Sequence, residues 1–270
     1  MRMGIFFRNF GPYASTENIV ECAQIAEAEG LDDLWLSDHI AIPAEESEGY
    51  GGRYLDPLAT LAFLAGITRR IGIGTAVLIV PYRPPLITAK WLATIQELSK
   101  GRLSVGAAVG WMEAEFRAAG VERSQRGKIT DETLEIWHRC FENDEVEINN
   151  QRFLFKPRPA RPEFLIGGAA PHAIERAIRL GDGWMPTEGD AEKLREPIAE
   201  LTKGMVSADK PPPSIIPLTG LPVDNTEQAL AKLSSLRDVG VTGIAYAGKY
   251  ENADQFRQQV RQLIGLAKML

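Results

Sequence analysis

Residues 71–111 read IGIGTAVLIVPYRPPLITAKWLATIQELSKGRLSVGAAVGW, and this stretch decides the predicted fold. It contains two nearly continuous apolar runs, at 71–80 and 103–109, and the first is rich in β-branched residues. Between them, apolar residues recur at helical spacing over 86–98, and Gly101 follows as a helix stop. Strands that are apolar on both faces belong in a parallel sheet covered by helices. The stretch therefore predicts a strand–helix–strand unit.

The same alternation continues on both sides of this stretch. Predicted strands, with helical patterns between them, lie at 3–8, 33–37, 71–80, 103–109, 163–166, 183–187, 214–221 and 243–247. Eight strand–helix units predict one α/β domain over residues 1–270, a (β/α)8 TIM barrel. An open doubly wound sheet is the alternative, although that fold does not need eight such units.

The connection between the fourth and fifth strands is longer than a barrel turn. It begins with a helical pattern at about 129–141 and continues with a segment that alternates apolar and polar residues around Asn149-Asn150. Alternation about two turn-forming residues favours a hairpin. We therefore predict an extended segment between strands four and five, with residues 144–162 outside the barrel. Long segments in compact domains are often functional.

The charge, the apolar runs and the cysteines of the chain indicate which classes of partner it does not bind. The net charge is −6 and no basic stripe offsets it, which argues against a nucleic-acid partner. No apolar run approaches membrane-spanning length, and the N-terminus lacks the pattern of a signal peptide. Cys22 and Cys140 lie far apart in helical patterns, which predicts buried reduced thiols and no metal site. These features predict a cytoplasmic protein that binds neither nucleic acid nor a membrane.

Candidate site residues follow the predicted strands, because barrel enzymes place their chemistry at the carboxyl ends of the strands. Asp38 and His39 follow the second strand. They could cap and pack a loop, or His39 could act as a general acid or base. The residues Gly167-Gly168-Ala169-Ala170 lead from the fifth strand toward a helix. That turn could be a tight connection without a ligand, or its backbone amides could bind a phosphate.

The order of residues in 71–111 also carries a family signature. As a pattern it is IGIGT-x5-P-x-R-x-P-x3-A-x3-A-T-x3-LSKGRLSVG-x3-GW, and it resembles the luciferase-like monooxygenase superfamily. Further matching motifs are W-x-S-D-H at 35–39, F-x-P-R-P at 155–159 and IGG at 166–168. The resemblance is closest to the branch that uses the deazaflavin coenzyme F420, and it extends over nearly the whole chain.

This resemblance implies a TIM-barrel oxidoreductase that uses F420 for hydride transfer to or from a small organic substrate. It implies that His39 and Asp38 are the catalytic residues, beside the redox ring. It also implies a non-prolyl cis peptide bond at Ala76-Val77 under the ring, and a cofactor phosphate on the IGG turn. The implied cofactor-binding residues are Ser37, Thr75, Ala76, Val77, Val109, Gly167, Gly168, Ala169 and Ala170.

Two other functions remain open at this point. One is a two-component monooxygenase that uses FMN, and the other is a non-catalytic protein that binds flavin or F420. A flavin or F420 reductase is the expected protein partner. The chain also departs from the F420-dependent sugar-phosphate dehydrogenases, which place a proton-donating glutamate just after the fourth strand. Trp111 occupies that position here, and whether Glu113 or Glu115 reaches inward stays open.

The resemblance also implies a homodimer that forms through helices on the exterior of the barrel. Trp91 and Trp137 could supply an apolar patch at such an interface, or they could equally be covered within one chain. An anionic cofactor needs local positive charge in a chain that is acidic overall. The candidate cations near the strand ends are Arg8, Arg53, Arg83 and Lys249.

Overall fold

A computed structural model describes residues 1–47 and 51–270. The β-strands are β1 (Arg2–Phe6), β2 (Asp33–Leu36), β3 (Gly72–Ile79), β4 (Leu103–Ala108), β5 (Glu145–Ile148), β6 (Gln151–Leu154), β7 (Glu163–Gly167), β8 (Gly183–Met185), β9 (Ser214–Ile215), β10 (Leu218–Thr219) and β11 (Gly243–Tyr246). The α-helices are α1 (Thr16–Glu29), α2 (Pro57–Ile67), α3 (Pro85–Leu98), α4 (Glu113–Ala118), α5 (Arg126–Glu142), α6 (His172–Leu180), α7 (Ala191–Ser207), α8 (Thr226–Asp238) and α9 (Ala253–Ala267).

Nine of these strands form one curled parallel sheet, in the order β10-β11-β1-β2-β3-β4-β7-β8-β9. The predicted α/β class with parallel strands is therefore confirmed. Helices connect most neighbouring strands, as parallel pairing requires. The β1 strand ends at Phe6, before the predicted limit at residue 8. The carboxyl ends of the parallel strands form one edge of the sheet, its rim.

The two ends of this sheet meet in one segment, residues 214–219, which contains both β9 and β10. On one side the amide of Ile216 donates to the carbonyl of Trp184 in β8, over 3.0 Å. On the other side the amide of Ala245 in β11 donates to the carbonyl of Pro217, also over 3.0 Å. Because Pro217 has no amide hydrogen, the predicted strand 214–221 cannot form an unbroken ladder and becomes two short strands. Backbone hydrogen bonds thus run from β8 through this segment to β11.

Apolar side chains pack on both faces of the sheet. A large cluster between strands and helices includes Leu34 of β2 and Phe164 of β7. The next residues along these strands, Trp35 and Leu165, point to the opposite face, since successive side chains in a strand alternate. They belong to a smaller cluster inside the curled sheet, with Ala76, Met185, Ile216 and Ala245. Burial on both faces explains why the strands read as continuous apolar runs.

Between β4 and β7 the chain forms α4, α5 and the antiparallel pair β5–β6. Asn149 and Asn150 connect the pair, and both have positive φ angles, 52° and 60°. Asparagine tolerates this conformation, and two such residues in succession are typical of a two-residue hairpin turn. The hairpin predicted around these residues is therefore present, and it forms a sheet of its own.

The outer helices carry an exposed apolar row. Ile87, Trp91 and Leu98 of α3 lie at helical spacing and are 51%, 45% and 57% exposed. Trp137, by contrast, is fully buried in α5, and its Nε1 donates to the carbonyl of Pro85. Of the two alternatives for Trp137, coverage within the chain is the one observed, because this residue packs inward against the start of α3. Within the described ranges, no helix is long and apolar enough to span a membrane.

Candidate functional site

The segment after β2 carries three of the predicted site residues and is held in place by Asn9. The Asn9 side chain is fully buried, and its Nδ2 donates to the carbonyl of Ser37 over 2.8 Å. In return, the amide and the hydroxyl of Ser37 both donate to Asn9 Oδ1, at 3.1 and 2.9 Å. Buried polar groups need such partners. These bonds fix the backbone that leads into Asp38 and His39.

Asp38 lies beneath the rim and binds a cation of the same chain. Its carboxylate accepts two bonds from Arg83, at 2.6 and 2.8 Å, and one from the amide of Ile79. No part of the Asp38 side chain is exposed. Arg83 also donates to Asp56, the N-cap of α2. Burial alone would lower the pKa of Arg83, but its bonds to the two carboxylates raise that pKa further above its ordinary value. This ion pair therefore ties β2, β3 and α2 together.

His39 is oriented differently, toward α4. Its Nδ1 lies 3.0 Å from Oε2 of Glu115, and its ring meets the edge of Tyr54 at a centroid distance of 4.9 Å. The side chain is 22% exposed. Within residues 1–47 and 51–270, Nε2 of His39 forms no hydrogen bond. The second nitrogen is thus available for a ligand or a substrate.

Glu115 is the residue at this site that sequence reasoning left undecided. Its side chain is only 1% exposed, whereas Glu113, on the opposite side of α4, is exposed. Trp111, at the position of the glutamate in the sugar-phosphate dehydrogenases, is 65% exposed. The sequence alone gives no usable signal for Glu115, because its position between the buried Met112 and Phe116 becomes evident only once the short helix α4 has formed. A carboxylate between two core positions of a short helix needs a buried partner.

The end of β3 contains the predicted platform residues Thr75, Ala76 and Val77. The peptide bond between Ala76 and Val77 is cis, which confirms the prediction. The register of β3 against β4 shifts between Thr75 and Leu78, so this part of the strand bulges. The Thr75 hydroxyl donates to the carbonyl of Gly106 over 2.8 Å, which anchors the start of the bulge. Ala76 is buried inside the curled sheet, and Val77 is partly exposed at its rim.

Gly167, the last residue of β7, lies at the same rim as Val77. A Cβ built on Gly167 would lie only 2.8 Å from Cγ1 of Val77, so the two residues are close neighbours. Gly168 follows with φ of 118°, a conformation that favours glycine, and its carbonyl accepts a bond from Trp184 Nε1 over 2.8 Å. Ala169 and the neighbouring Ala170 are exposed, and α6 begins two residues later.

A cavity of about 410 Å³ lies beside the first turn of α6, and it is lined by a basic side chain that sequence reasoning missed. Arg126, the first residue of α5, lines the cavity together with Val109 and His172. The Nε atom of Arg126 is buried, and in the described part of the chain it has no hydrogen-bond partner. An unpartnered donor of this kind is costly, and an anionic ligand would satisfy it. Arg176 and Arg179 also line the cavity but already pair with Asp131.

The predicted cations occupy four different environments. Arg8 donates to the carbonyl of Tyr250 and lies over the rings of Phe10, Tyr13 and Tyr250, at 5.5 to 5.8 Å. Arg53 is exposed and donates to the carbonyl of Ala14. Arg83 forms the ion pair with Asp38 that is described above, and Lys249 is exposed. Arg83 therefore contributes no free positive charge to a ligand.

One known protein family matches almost the whole chain. A family model described as luciferase-like monooxygenase matches residues 1–264, and the chain belongs to that family. The F420-dependent glucose-6-phosphate dehydrogenase of Amycolatopsis mediterranei is 31% identical over 196 residues, which cover 68% of this chain and 56% of that protein. The FMNH2-dependent dimethylsulfone monooxygenase of Pseudomonas fluorescens is 29% identical over 191 residues, 66% of this chain and 50% of that protein. The family thus includes relatives that use either cofactor.

A solved structure shows the same fold. The crystal structure of a monooxygenase from Streptomyces bottropensis superposes with a TM-score of 0.84 and covers 100% of this chain and 99% of that one. The sequence identity is 20%, so this likeness concerns the fold. The two proteins therefore share the curled parallel sheet with its outer helices.

Proposed function

We propose that this protein is an oxidoreductase that uses coenzyme F420 for hydride transfer to or from a small organic substrate. The observation that carries the proposal is His39, a side chain at the rim with one nitrogen bound to Glu115 and the other available. Hydride transfer to or from an organic substrate is accompanied by the movement of a proton, and a histidine is suited to carry it. When bound, the deazaflavin supplies the hydride carrier, while the protein supplies position and electrostatics.

Two observations support an anionic cofactor at this rim. The buried Nε of Arg126 lacks a partner, and the exposed turn from Gly168 to Ala170 leads into a helix N-terminus. We propose that the phosphate binds at this turn and that Arg126 donates to it. The ring would lie on the bulge formed by Thr75, Ala76 and Val77, in contact with Val109.

We assign different roles to the two predicted catalytic residues. His39 is proposed to exchange a proton with the substrate. Asp38 is proposed to anchor the site, because its fully buried carboxylate is neutralised by Arg83 and has no surface for a substrate. Ser37 is proposed to touch the cofactor only by packing, since its hydroxyl, its amide and its carbonyl all bond to Asn9.

The test is a binding titration of F420 against FMN, with two matched variants at the turn. Gly168→Asp and Gly168→Asn impose the same backbone strain and nearly the same volume, but only the first adds a charge. Beside a phosphate, Gly168→Asp should bind F420 at least about tenfold more weakly than Gly168→Asn, which corresponds to about 1.4 kcal/mol. Equal affinities would contradict the placement of the phosphate.

A substitution of His39 separates binding from chemistry. His39→Ala should retain the affinity for F420 and lower kcat on the order of 10²-fold, the range for loss of an acid–base group. Turnover at the rate of the unchanged protein would show that His39 only packs. Tight binding of FMN with oxygen consumption would instead support the alternative, a monooxygenase supplied by a flavin reductase. Binding without turnover of any substrate would support a non-catalytic binding protein.

We also propose that the protein works as a homodimer in the cytoplasm. The exposed row formed by Ile87, Trp91 and Leu98 on α3 supports the dimer, since contiguous apolar surface on a barrel helix favours association. Phe63 on the neighbouring helix α2 is 41% exposed and could enlarge that surface. The expected location rests on the sequence pattern alone.

A further inference from the structure

We propose that Glu115 is a positioning residue, which holds the proton of neutral His39 on Nδ1 and so leaves Nε2 as the basic atom that faces the substrate. This inference rests on the proposed function in one respect, the role of His39 in proton transfer. The structural part of the inference, that Glu115 determines the tautomer of His39, can be tested without any cofactor. The tautomer assignment and the proton-transfer role of His39 can therefore fail independently.

Four donors converge on the two oxygens of the Glu115 carboxylate. The backbone amides of Ile40 and Ala41 both donate to Oε1, at 2.5 and 3.0 Å. The hydroxyl of Tyr82 donates to Oε2 over 3.1 Å, and Nδ1 of His39 lies 3.0 Å from the same oxygen. A carboxylate that receives several donors is held in its charged form, in which it can only accept. The hydrogen in the bond to His39 must therefore lie on Nδ1.

The balance of forces on Glu115 supports this assignment. Burial disfavours the charged carboxylate, but the bond from His39 and those from the amides of Ala41 and Ile40 outweigh it. The pKa of Glu115 is accordingly held below its ordinary value. Burial and the neighbouring Glu115 raise the pKa of Tyr82, so the phenol keeps its hydrogen and remains a donor. Glu115 is thus ionised throughout the neutral pH range.

The consequence concerns the free nitrogen of His39. With hydrogen on Nδ1, Nε2 of the neutral ring carries a lone pair and can accept the proton that leaves the substrate. The imidazolium then formed keeps its bond to the ionised Glu115, which stabilises the positive charge. In the reverse direction Nε2 returns the same proton. The two electrons move with the hydride between substrate and deazaflavin, so the exchange at Nε2 involves the proton alone.

The variant Glu115→Gln tests this inference, because the amides of Ile40 and Ala41 dictate how a glutamine must lie. Both amides need an acceptor, so the glutamine oxygen should take the place of Oε1. Its NH2 group then faces Nδ1 of His39 and donates to it, which forces the ring hydrogen onto Nε2. The substitution preserves volume and reverses the tautomer. A reversed tautomer of this kind costs about 10⁴-fold in kcat in a serine protease triad.

The measurement is the pair of ring ¹⁵N chemical shifts of His39, recorded at alkaline pH. The signal is identified by its loss in His39→Ala. We expect a protonated Nδ1 in the unchanged protein and a protonated Nε2 in Glu115→Gln. In turnover, Glu115→Gln should lower kcat on the order of 10²-fold or more, with KM and the affinity for F420 nearly unchanged. If Glu115 only held the loop at residues 40–41 in place, its substitution would change KM or the affinity for F420 instead of kcat.

The control is Tyr82→Phe, which removes one donor from Glu115 but leaves the carboxylate in place. It should keep the hydrogen on Nδ1 and retain most of kcat. A protonated Nε2 in the unchanged protein would overturn the inference. This spectrum does not depend on Glu115→Gln, so the inference can be tested even if that variant does not fold. A reversed tautomer with normal kcat would also overturn it. Normal turnover by His39→Ala, with the tautomers as expected, would refute the proposed role of His39 and leave the positioning by Glu115 intact.

Discussion

Val77 occupies a place at the rim where its neighbours on two strands have no side chains. A Cβ built on Gly167 would lie 2.8 Å from Cγ1 of Val77, and one built on Gly106 would lie 3.2 Å from the same atom. The bulge at the end of β3 turns Val77 toward these strands, and the two glycines leave the space that it fills. The shape of the proposed ring platform therefore depends on residues outside the platform itself.

Gly106→Ala should be strongly destabilising. The added methyl would lie 2.2 Å from the carbonyl oxygen of Thr75 and 2.8 Å from Sδ of Met185, so β3 and β4 would have to separate. Overpacking of this kind costs about 1–3 kcal/mol in the free energy of unfolding. The matched control is Gly66→Ala in α2, where no atom lies within 4 Å and the change should stabilise by roughly 0.5–1 kcal/mol. Urea denaturation measures both, and a neutral Gly106→Ala would contradict the packing described.

At the residue scale, the sequence predicted which residues follow the strands but not how their side chains pair. Asp38 and His39 are adjacent and were predicted to act together, yet one binds Arg83 and the other binds Glu115. Both partners are distant in sequence, and α4, which carries Glu115, was not predicted. Arg126 was missed for a similar reason, because an unpartnered nitrogen becomes visible only when the surrounding helices are in place.

At the scale of elements, Asp182 joins the segments that lead into two neighbouring strands. Its carboxylate accepts two bonds from Arg161, at 2.6 and 2.7 Å, and one from the amide of Phe164 in β7. Asp182 itself directly precedes β8. Burial would raise the pKa of Asp182, but the bonds from Arg161 and Phe164 prevail and lower it. The charged form of Asp182 therefore stabilises the start of this strand pair.

Asp182→Asn should lower the free energy of unfolding at neutral pH by about 1–3 kcal/mol, the range for hydrogen bonds to a charged group. A folded-state pKa below the ordinary value of 3.8 means that the contribution is complete above that pH and is lost as the pH falls through the folded pKa. The stabilities of the two proteins should therefore converge in acid. The control Asp144→Asn removes exposed ion pairs and should have little effect at any pH. A difference independent of pH would contradict the assignment to charge.

The elements that could be predicted are those set by local pattern. The apolar runs identified the parallel strands, and the alternation around Asn149 identified the hairpin. The break between β9 and β10 was not predicted, although Pro217 is visible in the sequence. Its effect depends on which neighbour its missing amide would have faced, and that is decided by the pairing of the whole sheet. The short helix α4 lies in a segment too brief for a helical period to be recognised.

At the scale of the whole molecule, the two ends of the curled sheet differ in how their polar groups are satisfied. At the amino ends of the strands, Arg2 binds Asp33 and approaches Glu163, which also accepts bonds from serine hydroxyls. At the carboxyl ends, Nε2 of His39 and Nε of Arg126 have no partner within residues 1–47 and 51–270. Buried polar groups are normally paired, and Arg126 Nε shares its lack of a partner in the described residues with Trp35 Nε1, Thr133 Oγ1 and Gln259 Oε1. We therefore place the proposed site at the carboxyl end from His39, Arg126 and the family membership taken together.

The last prediction concerns assembly through α3. If the row of Ile87, Trp91 and Leu98 is the centre of a dimer interface, Trp91→Glu places a charge within it. Loss of a central aromatic residue costs about 2 kcal/mol or more, so the dimer should dissociate at a protein concentration roughly 30-fold higher. Trp111→Glu is the matched control, because Trp111 is also exposed but lies outside α3. Light scattering over a range of concentrations distinguishes the cases. An unchanged protein that is monomeric at every micromolar concentration would refute the dimer, and equal effects of both substitutions would refute its placement on α3.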